Sequence, residues 1–252
     1  MNRLPWILYD GDCLAEGGLS EIADASVDHV ITDPPYEAEA HGKGRRTRRI
    51  ARIEGKAVGV CVPEILPFDA ITDEQRLTVG EHIGRIVKRW ALVFCQTEGA
   101  YKWRIALERG GLDYVRTMIW VKPDAQPQFT GDRPGVGYES IVVAHRTGRK
   151  RWNGGGRVGV FTHGRERGPN GEGAPHPTTK PLPLMRELVE LFTDEGETIV
   201  DPFAGSGSTG VACRMLGRHF IGWEIDREYA AIARRRLAGD EAKPSALQPS
   251  LW

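Results

Sequence analysis

Short apolar runs that stop abruptly at turn residues set the frame of this chain. "WILYDGD" (6–12) and "VDHVITDPPY" (27–36) each carry a β-branched or apolar core and then break at Asp, Gly or Pro. Both predict buried strands. Thr72 and Gln75 have capping-box spacing, and Ile83, Ile86, Val87 and Trp90 recur at helical intervals, so a helix precedes the strand "RWALVFC". A second helix runs through Leu107 and is stopped by Gly110-Gly111. "LDYVRTMIWVKP" and "YESIVVAHR" read as two further strands toward a sheet edge. Beyond "HPTTKP" (176–181), Met185, Leu188, Val189 and Phe192 mark one helix face. Then come a strand in "TIVDPF", a helix over Ser208–Leu216, a strand in "HFIGWEID" and a helix over Arg227–Leu237. Strands alternating with helices predict an α/β fold, with one doubly wound and mostly parallel sheet.

Two stretches interrupt the pattern. Residues 37–70 lack sustained periodicity and predict a long, mobile basic loop, a type that is usually functional within a compact domain. Residues 146–175 shift to Gly, Arg and Pro with little to bury, which predicts an inserted or appended segment. The tail, 241–252, is expected to fray. A hydrophobic share of 40% supports a sizeable core. The apolar runs are too short for a membrane span, and the N-terminus lacks the pattern of a secretory signal. Cys13, Cys61, Cys95 and Cys213 have neither C-x-x-C nor zinc spacing, so reduced thiols, a cytoplasmic setting and no metal are expected.

Charge changes the picture through its distribution. The 34 basic and 34 acidic residues cancel, yet residues 41–56 and 145–167 each hold seven Lys/Arg against one Glu. A charge run is often only a solvated face, but two Arg- and Gly-rich runs favour a polyanion surface. Arg45, Arg46, Arg48, Arg49, Arg149, Lys150 and Arg151 are the candidate contacts.

Candidate chemistry gathers at the ends of predicted strands. Gly205, Gly207 and Gly210 spell G-x-G-x-x-G behind an apolar strand, and Glu224 follows Gly205 by nineteen residues. Such a turn admits a ligand close to the backbone, and the helix start adds N–H donors for a carboxylate or a phosphate. The absence of G-K-[ST] excludes a P-loop, and Glu224 is placed for ribose hydroxyls. Taken literally, the motif is that of an NAD(P)-dependent oxidoreductase. It begins at residue 205 of 252, however, so the other strands must come from the N-terminal half, a circular permutation of the usual order. Asp33, the carbonyls of Pro34 and Pro35, and the ring of Tyr36 suit a planar ring bearing an amino group, although Asp-Pro-Pro also serves as a rigid turn. Asp12 and Cys13 close the first strand. Thr178 or Thr179 could cap the helix after "HPTTKP", and Lys180 could reach a carboxylate.

Together, "VDHVITDPPY", "HPTTKP", "VDPFAGSGSTGVAC" and "FIGWEID" resemble the amino-group DNA methyltransferases that modify adenine N6 or cytosine N4. Their order resembles the beta class. The resemblance implies a Rossmann-like class I methyltransferase fold, circularly permuted, with 1–123 and 176–240 catalytic and 124–175 a small target-recognition segment including one or more edge strands. It implies S-adenosylmethionine as donor, with Asp12 and Cys13 at the adenine end and Glu224 and Ile225 on the ribose side. Asp201, Phe203, Ala204, Gly205, Ser206, Gly207 and Lys180 would serve the methionine end. Asp33, Pro34, Pro35 and Tyr36 would hold a flipped base in double-stranded DNA. An Asp at the first position of that motif leans toward adenine N6 in this family, and Ser toward cytosine N4. A short recognition segment implies a short or degenerate target, or a homodimer that shares the work. An inactive nucleic-acid-binding relative is the remaining rival, opposed by the intact motifs.

Overall fold

A computed structural model of the chain describes residues 6–36, 46–53, 56–63, 70–125, 127–128, 131–166 and 179–239. In chain order the elements are β1 (Trp6–Asp10), β2 (His29–Thr32), β3 (Arg46–Ile53), β4 (Lys56–Pro63), α1 (Asp73–Ile86), β5 (Trp90–Cys95) and α2 (Ala100–Arg109). There follow β6 (Leu112–Val121), β7 (Tyr138–Arg146), β8 (Val160–Thr162), α3 (Leu182–Phe192), β9 (Thr198–Asp201), α4 (Ser208–Met215), β10 (His219–Glu224) and α5 (Arg227–Ala238).

One eight-stranded sheet runs in the order β1-β10-β9-β2-β5-β7-β6-β8. Among its described strands only β7 opposes its neighbours, pairing antiparallel with both β5 and β6. Both faces are covered. On β5, Trp90, Leu92 and Phe94 pack into the layer of α3, α4 and α5. Ala91, Val93 and Cys95, pointing the other way, pack with α1 and α2. That double burial is why the strand reads as an unbroken apolar run. The expected capping box opens α1: Gln75 N donates to Thr72 Oγ1 at 3.1 Å, and Thr72 N donates to Gln75 Oε1 at 3.0 Å. No described helix is long and apolar enough to cross a membrane.

Three details differ from the pattern-based expectation. Residues 46–53 and 56–63, expected within a loop, form the antiparallel pair β3–β4, in register from Arg46↔Pro63 to Ile53↔Lys56. Val58, Val60 and Val62 alternate in β4, but the surrounding Arg and Gly residues hide that period. Second, β7 lies inside the sheet, and the edge belongs to β8, which pairs parallel with β6. Third, residues 146–166, the described part of the segment 146–175, contribute to the core. Phe161 on β8 is fully buried, Trp152 packs edge-on to Phe192 at 4.7 Å, and the Asn153 side chain caps the end of α3 through the Glu190 and Thr193 carbonyls. Single aromatic anchors among glycines leave no period to detect.

Candidate active site

β9 and β2 are neighbours whose crossovers leave in opposite directions, β9 through α4 to β10 and β2 through α1 to β5. A crevice opens where loops diverge in this way at the carboxyl ends of strands. A cleft of about 680 Å³ lies there, lined by residues 11–14, 33–36, 179–180, 201–206 and 223–226 among others. Every proposed catalytic residue and every proposed cofactor residue except Gly207 borders it. Gly207 instead forms the N-cap of α4, at φ 83°.

The glycine turn is built for close approach. Gly205 has φ 54°, and a Cβ on it would meet nothing within 4 Å, so conformation requires the glycine and open space lies beside it. Gly210 answers a different demand. A Cβ there would sit 2.7 Å from Leu237 Cδ2 and 2.8 Å from Phe220, so this glycine lets α4 pack against α5 and β10. From α5, Arg236 donates to the Ser206 carbonyl at 2.7 Å and to Ser206 Oγ at 3.0 Å. The turn is therefore held from behind by a buried guanidinium.

The acidic residues divide into ties and open acceptors. Asp201 accepts from Thr32 Oγ1 at 2.7 Å, Thr209 Oγ1 at 2.6 Å and Phe203 N at 3.1 Å, and burial pushes its carboxyl up to about 6. Both its oxygens thus tie β9 to β2 and α4. Glu224 accepts from Gly205 N at 2.7 Å and Asp226 N at 2.8 Å, and burial raises its carboxyl also. Asp12 accepts from Leu14 N at 2.9 Å. Burial pushes the Cys13 thiol up to about 12, which makes it an apolar wall and no nucleophile.

At the other end of the cleft, Asp33 and Lys180 form an ion pair through Oδ2. Lys180 also donates to the Tyr36 hydroxyl at 3.2 Å and lies 3.3 Å from Glu139 Oε2. Its ammonium sits over the rings of Phe94 and Tyr36, 5.2 and 5.4 Å from their centroids. Burial raises the Asp33 carboxyl, and the Lys180 charge offsets this only in part. Asp33 Oδ1 is buried with no hydrogen-bond partner among the described residues. A buried acceptor without a donor is costly, and such atoms mark places where a ligand supplies the missing hydrogen.

The expected assignments fare unevenly. Lys180, expected at the methionine carboxylate, instead pairs with Asp33 and Glu139 at the other end of the cleft. Arg149, Lys150 and Arg151 stand at the opposite end of the sheet from Asp33. β7 starts beside the carboxyl end of β5 and finishes beside its amino end, Trp90↔His145, so whatever follows Arg146 leaves the cleft behind. There Arg151 pairs with Asp194 at 2.8 Å, and its carbonyl accepts from Trp90 Nε1 at 2.6 Å. Arg45 and Thr178 lie outside the described residues, and Arg46, Arg48 and Arg49 fall on β3. Sequence reasoning did not single out Glu139 beside Lys180, nor Asp226 and Tyr229, which border the cleft. For Glu139 a signal existed, a carboxylate inside the apolar strand "YESIVVAHR".

Residues 27–235 match the model of a protein family described as DNA methylase. The type II methyltransferase M2.DpnII of Streptococcus pneumoniae is 28% identical over 243 residues, covering 88% of this chain and 86% of that protein. M2.LlaDCHI of Lactococcus lactis subsp. cremoris, another type II methyltransferase, is 27% identical over 236 residues, covering 87% and 85%. Among solved structures, the complex of M1.HpyAVI with SAM superposes with a TM-score of 0.66 at 22% identity, over 92% of this chain and 99% of that one. The cytosine-N4-specific PvuII DNA methyltransferase gives 0.68 at 16% identity, over 95% and 88%. Both share the fold.

Proposed function

Because the chain belongs to the DNA methylase family, we propose that it transfers methyl from S-adenosylmethionine to the exocyclic amine of a base in double-stranded DNA. The finer reading is N6 of adenine, supported by Asp33 at the head of Asp33–Tyr36. The observation that carries the proposal is the unpartnered Asp33 Oδ1 in the same cleft as the Gly205 turn and Glu224.

The cleft fits the donor molecule in its chemistry. Glu224 offers a carboxylate for ribose hydroxyls, the N-terminus of α4 attracts the amino-acid carboxylate, and the space beside Gly205 admits the chain between them. When bound, S-adenosylmethionine supplies an electrophilic methyl on a positively charged sulfur. The protein's task is the nucleophile. An exocyclic amine is weak because its lone pair is delocalised into the ring. Asp33 Oδ1 accepts one amine hydrogen and the Pro34 carbonyl the other, which draws the nitrogen toward tetrahedral geometry and frees the lone pair. Holding two reactants in line lowers a barrier by about 7–11 kcal/mol, so positioning is the larger part of the task. Asp33 then takes the proton that the methylated nitrogen releases.

Reaching the amine requires the base to leave the duplex, at roughly a few kcal/mol, and the Tyr36 ring offers it a face. Phosphate contacts come from the basic stretch around Arg45, Arg46, Arg48 and Arg49. Sequence reading falls to the rim that follows β6 and β8, Lys122–Asp124 and His163–Glu166, on the Asp33 side of the sheet. Arg149, Lys150 and Arg151 have no part in it.

Transfer of tritiated methyl to DNA tests the assignment. Asp33→Ala is expected to abolish transfer while S-adenosylmethionine still binds, and a near-normal rate would sink it. Mass spectrometry of nucleosides from the methylated DNA is expected to show N6-methyladenine, and N4-methylcytosine would replace the finer reading.

A further inference from the structure

Glu139 is a carboxylate in a strand that has no packing use for one. It occupies the second position of β7 and is 8% exposed. Buried carboxylates persist when paired, and Glu139 faces two lysines, with a hydrogen bond at Oε1 and a charge contact without hydrogen-bond geometry at Oε2. Lys122, from the end of β6, bonds Oε1, and Lys180 lies 3.3 Å from Oε2. Asp33 holds the same Lys180 from the other side. Two lysines and two carboxylates thus alternate in a charge-neutral row, Lys122, Glu139, Lys180, Asp33, its middle pair buried and its ends partly so.

We propose that Glu139 is a positioning residue for methyl transfer: anchored by Lys122, it shares Lys180 with Asp33, keeping the lysine on Oδ2 and leaving Oδ1 as the open acceptor. The inference rests on the DNA methylation reading above. Sharing has a second consequence. A lysine devoted to Asp33 alone would hold that carboxylate firmly ionised and make it a poor proton acceptor. Divided between two carboxylates, Lys180 leaves Asp33 more basic. The charged and titratable groups around Asp33 are Lys180 ahead of α3, Glu139 on β7, Lys122 after β6, Tyr36 beyond β2 and Asp201 on β9, with Cys95 on β5 acting on Tyr36. Glu139 adds to the upward pressure that burial exerts on Asp33, whereas Lys180 and Lys122 oppose it. Burial would raise Glu139 too, but Lys180 and Lys122 outweigh it and hold it down at about 2, so Glu139 stays ionised as Asp33 titrates. In the proton step that follows transfer, the N–H bond of the methylated amine breaks, its electron pair stays on nitrogen, and an O–H bond forms at Asp33. No other reactant is needed.

The test compares wild type with Glu139→Gln by two readouts. The first is the Asp33 carboxyl titration by 13C NMR, its resonance identified by its loss in Asp33→Asn. The second is the split between kcat and KM. The Asp33 midpoint is expected at lower pH in Glu139→Gln. The kcat is expected to fall about tenfold or more, with KM for DNA and S-adenosylmethionine affinity within about twofold. A purely structural role would lower thermal stability and move neither readout, and a wild-type value in either would overturn the proposal. Should the unpaired Lys122 unfold the single variant, Glu139→Gln with Lys122→Gln restores neutrality; loss of Lys122 offsets part of the Asp33 shift, so the midpoint is expected to fall by less, with the same fall in kcat. If wild type itself transfers no methyl to DNA, the parent reading falls, and the Asp33 midpoint alone decides whether Glu139 governs that carboxylate.

Discussion

Glu224 Oε2 accepts the amide of Gly205 at 2.7 Å, so one carboxylate pins the glycine turn to the end of β10 across nineteen residues of chain. Its other oxygen accepts from Asp226 N at 2.8 Å and sets the start of α5. The residue that offers charge to a ribose is thus also the fastener of the turn that faces the rest of the ligand.

Those two duties separate under substitution. Glu224→Gln keeps a carbonyl oxygen for one amide and loses the charge. Hydrogen bonds to a charged acceptor are worth about 1.5–3 kcal/mol, so its affinity for S-adenosylmethionine is expected to fall by roughly one to two orders of magnitude with modest loss of stability. Glu224→Ala leaves the Gly205 and Asp226 amides without their acceptor, and both affinity and thermal midpoint should drop. Calorimetric titration beside thermal unfolding checks the split. Wild-type affinity in Glu224→Gln would reduce Glu224 to a fastener alone.

The crossing of α1 and α2 makes a prediction that bears on stability only. A Cβ added at Gly84 would lie 1.9 Å from the Gly110 carbonyl oxygen, a backbone atom that cannot swing away. Gly84→Ala must push the helices apart and is expected to cost about 3 kcal/mol, the upper part of the overpacking range. That corresponds to a thermal midpoint lower by roughly 6–12 °C. Methyl transfer per folded molecule should be nearly unchanged, since Gly84 and Gly110 do not line the cleft and α1 reaches it only through Gln75 and Val79, nearer its other end.

Much of this arrangement was legible in the residues, and the reason is physical. Strands buried on both faces must be apolar throughout, so β2, β5 and β9 announced themselves, and the turns at Asp33 and Gly205 marked their carboxyl ends. The late position of the glycine turn correctly implied that β9 pairs with a strand from the N-terminal half, and it does so with β2. Strand direction was not legible. Composition does not reveal that β7 runs against its neighbours, and that reversal carries Arg149, Lys150 and Arg151 to the far end of the sheet while bringing Glu139 to Asp33. Nor does a charge run tell which of its members are paired, as Arg151 is with Asp194. The charge of Lys180 is legible, but its partners, Asp33 beyond β2 and Glu139 on β7, are set by tertiary structure.

The amino end of the sheet supplies a dependence of stability on pH. His29 is fully buried on β2, with Nε2 2.7 Å from Glu197 Oε2 and Nδ1 lacking a partner among the described residues. Burial lowers its pKa from 6.5, and the nearby Glu197 only partly opposes that. Burial lowers His145 in the same direction. A histidine with a depressed folded-state pKa binds fewer protons folded than unfolded, so its contribution is fully present above pH about 6.5 and is lost as pH falls through the folded value. Asp201 runs the opposite way. Its folded value of about 6 stands above 3.8, so its contribution is complete below pH 3.8 and is lost as pH rises through about 6. Comparing wild type with a histidine variant cancels the Asp201 component, because His29 lies at the other end of its strand pair. In urea unfolding at pH 7.5 and 5.5, wild type is expected to lose more stability on acidification than His29→Gln, which has no proton to take up. Equal losses in the two proteins would mean that the buried imidazole does not govern the acid limb.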